Sequence, residues 1–594
     1  MINLMTKYSF ILLNGDQDAL LERLQEMGLV DIKRNTKALD SEAQKIVTYI
    51  ELINGLVKGL QKIEVPEGIQ PKHLNDTELD RLAGGLLMHY SDASSELQYL
   101  RKELEARRIW GSFEPEILKE LSEAGVPIHF HRLSNKLFKP EWEQEYALSV
   151  VQKEKNNTWF LVIGEDNLPG EIPTPESDAA QLEQAIKEKE QDFRRLLTIV
   201  AGAQERIPEM IEYKDELCSQ LDLYLAGKSA VPAAENTIVT LVGYAPVEDD
   251  DVICAALDAT DVFYIKEKAV LEDNPPIKLK NNWFVKQFEV LTDMYGRPAY
   301  NGFDPTPFIS VFFLLFFAFC MGDCGYGLIL IAIGILLKKV DSFKDLAPLV
   351  VILGIGTTVI GFLFHTFFSI DIANWEIFKP IKGIFLPAKI GGYDGTMVLA
   401  LLIGIVHLCL AMCVKTWNET RNKGFINSLG TWGWTLLIVG GTVVATLFLM
   451  GVLDKGLTKL IVIVMGVLSA LGIFVFNDMK RSKLANVGVG LWNTYNTVTG
   501  LLGDVLSYLR LYALGLAGAM LGMAFNNIGT MVLGDGKSAL LWIPFVLIVI
   551  IGHTLNVAMC ALGAFVHPLR LNFLEFFKNS GYEANGRNFH PLSK

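Results

Sequence analysis

Charge is scarce in the second half of this sequence. Of its 594 residues, 301–594 hold 20 Lys+Arg and 14 Asp+Glu, whereas 1–300 hold 33 and 52. The shift near residue 300 predicts two domains, an acidic soluble one at 1–300 and an apolar one at 301–594. So acidic a soluble half excludes nucleic acid as a partner. The N-terminus, MINLMTKYSF, lacks the apolar core of a signal peptide, so the first half is expected to stay in the cytoplasm. The seven cysteines form no CxxC pair and no zinc-type cluster with histidine. Cys320/Cys324 and Cys409/Cys413 read as small apolar fillers on membrane-type helices. Residues 1–300 contain no nucleophile elbow, metal set or paired-carboxylate signature. A phosphate-binding loop is also missing. GDGKS at 534–538 echoes the end of one, but the first glycine of G-x-x-x-x-G-K-[ST] falls on Met531 and no strand precedes it. The expectation is therefore no metal, no cofactor and no ATP hydrolysis by this chain itself.

Long apolar runs are present instead. Runs of about 20 such residues mark membrane-spanning helices. Eight are predicted: 305–322, 325–340, 348–370, 396–416, 431–452, 457–478, 486–527 and 538–577. The last two are longer than a bilayer requires, so they must tilt strongly, break or project beyond it. With the N-terminus inside, the cytoplasmic loops carry Lys338, Lys339 and Lys344, then Lys415, Arg421 and Lys423, then Lys480, Arg481 and Lys483. The tail adds Lys578, Arg587 and Lys594. The outer loops hold fewer: Lys379, Lys382 and Lys389, then Lys455 and Lys459, then Lys537. This asymmetry puts both termini in the cytoplasm.

The soluble half opens with a strand (YSFILL, 8–13), a helix (DQDALLERLQEMG) and a second strand (LVDIKR). A heptad seam follows at Ile46, Ile50, Ile53, Val57 and Leu60. A second helical run carries Leu79, Leu82, Leu86, Ala93, Leu97, Leu100 and Leu104. PEGIQPKH at 66–73 separates the two, which predicts an antiparallel hairpin. A third helical region covers about 177–226. Strand-like pieces at 129–133, 146–154 and 158–165 form one group, and those at 237–246 and 262–268 another. The expected layout is an α+β domain of two small lobes joined by antiparallel coiled coils, a strut that holds other subunits at a distance.

Arg510 lies in the middle of the seventh apolar run, within GDVLSYLRLYALGLAG. A guanidinium stays protonated, and placing it at mid-membrane costs about 2.5–3.5 kcal/mol on insertion scales. Such residues face protein or water. At helical spacing its face holds Gly503, Ser507, Ala513 and Ala517, with Leu506 and Leu514 beside them. Small residues let another helix approach, so Arg510 is presented to a partner surface. Asn493, Asn496 and Asp504 precede it on the same helix and are placed to line a wet route. The last run holds His567, Arg570, Asn572 and Glu575, with His553 and Asn556 upstream. His567 and Arg570 share a face.

SYLRLYALGLAG (507–518) and the C-terminal HPLRLNFLEFFKNSGYEANGRNFHPL resemble the membrane stator of rotary V-type and A-type ATPases, subunit a in eukaryotes and subunit I in prokaryotes. FFLLFFAFCMGDCGYG (312–327) resembles the opening of that family's membrane domain, and PPIKLKNN (275–282) its domain junction. The resemblance covers the whole chain. It implies a proteolipid ring (c or K type) turning against the stator, two offset half-channels for H⁺ or Na⁺, and an essential arginine at Arg510 with a second at Arg570. It also implies half-channel roles for His567 and Glu575, peripheral-stalk partners of E/G type, and central-stalk-associated subunits. Eukaryotic members carry a histidine eight residues after the essential arginine and a glutamate ten before the second. Those positions are Gly518 and Cys560 in this sequence. The short form suggests a prokaryotic cell membrane.

Two rivals fit less well. A self-contained secondary transporter would show internal repeats, and none relates 305–450 to 457–577. A receptor or scaffold signalling through the coiled coil leaves Arg510 and Arg570 unexplained.

Overall fold

The computed structural model describes residues 1–594 apart from 35–39, 112, 155, 165–166, 174–178, 234–236, 261, 341–342, 374, 377–382, 384, 388, 477–482, 535–538 and 594. Lys379, Lys382, Lys480, Arg481, Lys537, Lys594 and most of GDGKS lie outside the described residues, as do the side chains of Leu82 and Lys483. The chain divides into two compact units. One comprises Met1–Leu12, Leu29–Ile32 and Ala233–Pro591, the other Leu13–Gly28, Lys33–Pro232 and Leu592–Lys594.

In the second unit, Asp40 caps the helix Ser41–Leu60 by accepting from the Ala43 N–H at 3.0 Å. Ile53, Val57 and Leu60 of the predicted seam are buried, and Ile46 and Ile50 are half-buried. The expected hairpin partner is different. Ser41–Leu60 packs antiparallel against Ile207–Gly227, and Leu86–Arg108 against Ala179–Glu205. Gln204 donates to the Leu60 and Ile63 carbonyls, both at 2.8 Å, while Tyr224 reaches Asp40 at the opposite end. Arg101–Glu190 and Arg108–Glu183 bridge the other pair. The third helical region splits because Pro208, which has no N–H to give, sits in the first turn of its second half. Four strands form an antiparallel sheet in the order Leu148–Lys153, Asn157–Ile163, Ile128–Ser134, Glu171–Ile172, with Leu133, Phe160 and Val162 in its core.

The first unit contains a sheet that joins distant segments. Four of its five strands run in the order Asp31–Ile32, Ile238–Pro246, Met5–Leu13, Phe263–Lys268. Tyr8 and Phe10 are fully buried in it. The Tyr8 hydroxyl donates to Asp250 at 2.6 Å, and burial followed by this bond pushes its phenol far above the usual range.

Beyond residue 300 the same unit is helical. Five helices among the described residues are long and apolar enough to cross a membrane: Gly395–Lys423, Ile426–Leu449, Lys455–Val475, Asn486–Leu533 and Trp542–Ser580. Three more apolar helices, Thr306–Met321, Cys324–Leu337 and Ala347–Leu363, have 16, 14 and 17 residues. They rise about 21–26 Å, short of the hydrocarbon thickness of about 30 Å. The first ends at Gly322, in the left-handed region (φ 55°), and Asp323 caps the next by accepting from the Gly325 and Tyr326 N–H groups. Phe313, Phe316, Phe319, Tyr508, Phe576 and Phe577 lead the helical core.

Candidate functional site

Two of the helices are irregular at the residues that carry charge. Lys483–Ser507 and Leu509–Leu533 meet at Tyr508. There the Tyr508 N–H binds the Val505 carbonyl at 3.2 Å and the Leu511 N–H binds the Tyr508 carbonyl at 3.1 Å, both three residues back. The turn is therefore tightened two residues before Arg510. This corrects the straight face drawn through Gly503, Ser507, Ala513 and Ala517, because counting 100° per residue assumes an unbroken helix. Gly503, Leu506, Ala513 and Ala517 are nonetheless all exposed, an open lane beside the half-buried Arg510. A Cβ at Gly503 would meet nothing within 4 Å.

The helix Trp542–Arg570 passes directly into a π-helical segment, Leu571–Phe576, and ends in Phe577–Ser580. Pro568 lies one turn before the change. Its ring cannot donate into the helical ladder, and its carbonyl accepts from the Asn572 side chain at 2.9 Å. The widened turn buries Asn572 and Glu575, the latter only 5% exposed.

Several predicted residues converge on this point. Arg510 and Arg570 both lie within Coulomb range of His567, and Arg510 and Asp504 within range of Glu575. The Ser507 hydroxyl is within reach of the Glu575 carboxylate. Nη1 of Arg510, Nδ1 of His567, Oδ1 of Asn572 and Oε2 of Glu575 are buried without a hydrogen-bond partner among the described residues. Neither Arg510 nor Arg570 forms an ion pair with a described residue, and Arg570 is exposed.

Asp504 is engaged by the last helical turn. Asn579 donates to it at 2.8 Å, and the Lys578 ammonium lies 3.5 Å away. With Asn493, Asn496, Lys415 and Lys578 it lines an open polar groove of about 430 Å³.

A second polar chain joins His553 and Asn556 to Tyr326 and Asn526, two residues not singled out in the sequence. The Tyr326 hydroxyl lies 2.8 Å from Nδ1 of His553, whose Nε2 lies 2.9 Å from Oδ1 of Asn526. Asn556 donates to Tyr326 at 2.8 Å and to the Gly518 carbonyl at 2.9 Å, and Cys560 donates to Asn556 at 3.3 Å. The chain thus runs through Gly518 and Cys560, the two positions that depart from the eukaryotic pattern. Asn526 could have been found as an amide inside an apolar run. Tyr326 gave no such signal. No group of three or more metal-ligating side chains occurs among the described residues.

The V-type ATPase 116kDa subunit family matches residues 165–373 and 492–594. The A-type ATP synthase subunit I of Pyrococcus horikoshii is 32% identical over 431 residues, covering 69% of this chain and 62% of its own length. The chain thus spans less than two thirds of that relative. The V-type ATP synthase subunit I of Borreliella burgdorferi is 24% identical over 640 residues and is covered, like this chain, to 100%. A solved cytoplasmic N-terminal domain of subunit I, homolog of subunit a, of V-ATPase matches 44% of this chain and 100% of its own at 14% identity, with a TM-score of 0.19, too low to bear on the fold.

Proposed function

Because the chain belongs to the V-type ATPase 116kDa subunit family, we propose that it is the membrane stator of a rotary V/A-type ATPase (Vo sector) and supplies the arginine against which a proteolipid ring releases H⁺ or Na⁺. It is a multi-pass membrane subunit and not the catalytic one. A ring carboxylate crossing lipid must be neutral, whether protonated or paired with a cation. Facing the Arg510 guanidinium, its ionised form is stabilised and the cation leaves. The same fixed charge repels cations and blocks a direct leak between the two half-channels. The groove beside Asn493, Asn496 and Asp504, together with Ser507, His567, Asn572 and Glu575, supports a route on one side. The Tyr326–His553–Asn526–Asn556 chain supports a route on the other.

The three shorter apolar helices, accommodated by local thinning of the bilayer, complete eight crossings, with the last two helices tilted and both termini cytoplasmic in a prokaryotic cell. Residues 301–594 form this membrane domain. Residues 1–300 form the cytoplasmic α+β domain, two lobes joined by antiparallel coiled coils, which binds peripheral-stalk (E/G-type) and central-stalk-associated subunits.

The observation that carries this reading is Arg510 itself, half-buried beside an exposed lane that includes Gly503, Ala513 and Ala517, and in no ion pair with a carboxylate among the described residues. The deciding experiment places Arg510→Ala in the assembled complex in liposomes. Assembly and ATP binding are expected to be normal and coupled ion movement absent. Unimpaired coupled transport would remove the assigned role. Arg510→Lys is also expected to transport poorly, because a compact ammonium lacks the planar fork of the guanidinium.

A further inference from the structure

One buried titratable side chain, unused above, touches both irregular segments. His407 lies in the middle of Gly395–Lys423 and is fully buried. Its Nδ1 is 2.9 Å from the Tyr508 hydroxyl, at the break that precedes Arg510. Its ring is stacked between Phe312, with centroids 4.1 Å apart, and Phe576, 4.8 Å away and within 5° of parallel. Phe576 closes the π-helical segment that begins directly after Arg570. Room for the Tyr508 ring exists because residue 404, one turn before His407, is glycine, and a Cβ there would overlap that ring.

We propose that His407 is a positioning residue. It clamps the Tyr508 break and the 571–576 π-turn together and so fixes where Arg510 and Arg570 stand relative to each other. The proposal rests on the role given above to the two arginines. Each irregularity has a regular α-helical alternative. A π-turn holds one extra residue, so its reversion would rotate one flank by about 100° against the other. Straightening the break would likewise turn Arg510 against the helix before it. One imidazole, hydrogen-bonded to the first irregularity and stacked on the second, holds both in register. No other described side chain makes both contacts.

The test uses the assembled complex in liposomes, with ATP hydrolysis and ATP-driven ion uptake measured together. His407→Phe keeps a flat ring between Phe312 and Phe576 but removes the ring nitrogen. Tyr508→Phe keeps the ring in the Gly404 notch but removes the hydroxyl. Each is expected to lower ions moved per ATP severalfold and by up to about a hundredfold, the scale by which a misplacement of about 1 Å slows oriented reactions. The double variant is expected to be no worse than either single one, since all three lose the same bond. Gly404→Ala, which displaces the Tyr508 ring and leaves both arginines and His407 in place, is expected to uncouple as well. Wild-type coupling in His407→Phe and Tyr508→Phe beside an inactive Arg510→Ala would overturn the clamp while leaving the arginine's role standing. Additive losses in the double variant would overturn the clamp too. Full coupling in Arg510→Ala would instead remove the reading on which it rests.

Discussion

At the scale of single residues, Glu575 is the least economical group in the site. It is buried, and one carboxylate oxygen has no partner among the described residues. Burying such a group without full compensation costs stability. A buried polar group left unsatisfied costs about 1–3 kcal/mol, which an apolar side chain of similar volume does not incur. Glu575→Leu is therefore expected to leave the complex at least as heat-stable as the parent while slowing ion uptake. Thermal melts and liposome uptake on the same preparation check both halves, and a lower melting point with normal uptake contradicts the assignment. This residue was legible in the sequence, as were Arg510, His567 and Asn572, because a polar side chain in an apolar run is visible by itself. Tyr508 was not. Nothing in Ser-Tyr-Leu breaks a helix locally, and the break goes with a notch at Gly404 and a hydrogen bond to His407, about a hundred residues away in sequence.

At the scale of elements, periodicity identified the helices of the acidic half but not their partners. The seam through Ile53, Val57 and Leu60 calls for an apolar face and does not say whose. That face belongs to Ala179–Glu205 and Ile207–Gly227, where Val200, Ala203, Met210 and Leu217 are buried with the seam. The chain from 66 to 75 crosses the first of these at Gly202, a position where any Cβ would run into the Lys72 carbonyl. One end of the Ser41–Leu60/Ile207–Gly227 pair is closed by Asp40. Its carboxyl is held below the usual range first by the Tyr224 hydroxyl, then by the Ala43 N–H, with Lys228 adding to both. A carboxyl whose folded pKa is depressed adds stability above its unfolded value, near about 3.9. That stability is lost as pH falls through the lower folded value. Tyr224→Phe removes the largest cause, so loosening of this helix pair in acid should begin at a higher pH than in the parent. Pepsin nicking of the intact complex between roughly pH 5 and pH 2 reports it, and superimposable profiles would refute the assignment.

At the scale of the whole molecule, the sheet of the first unit is tied to the last apolar helix by a tail whose pairing local sequence did not mark. Two-residue strands carry no periodicity, yet Pro276–Ile277 pairs in parallel with Arg587–Asn588. The Tyr582 hydroxyl donates to the Gly296 carbonyl at 2.7 Å, the Ala299 N–H to Glu583 at 3.0 Å, and the Gly586 N–H to Arg297 at 3.0 Å. Arg587 reaches the buried Asp31 at 3.3 Å, and the His590 N–H reaches the same carboxylate at 3.2 Å. A stator joined to its membrane helices only through residues 269–305 has one covalent link about which to swivel. The tail adds a second, fastened to the strand Asp31–Ile32, and two separated links resist rotation where one does not. Truncation after Tyr582 removes all of these contacts except that of the Tyr582 hydroxyl, and spares Phe576, Phe577 and the Tyr582 ring stacked on Phe577, which pack the helical core. The truncated complex is therefore expected to assemble and hydrolyse ATP, but to sustain a smaller ion gradient, because part of each rotary step is lost in twisting the stator. Asp31→Asn should reduce the gradient less, since it weakens the Arg587 contact and keeps the backbone pairing. Steady-state gradient against ATP turnover in liposomes is the measurement, and an undiminished gradient in the truncated complex would show that the tail carries no load.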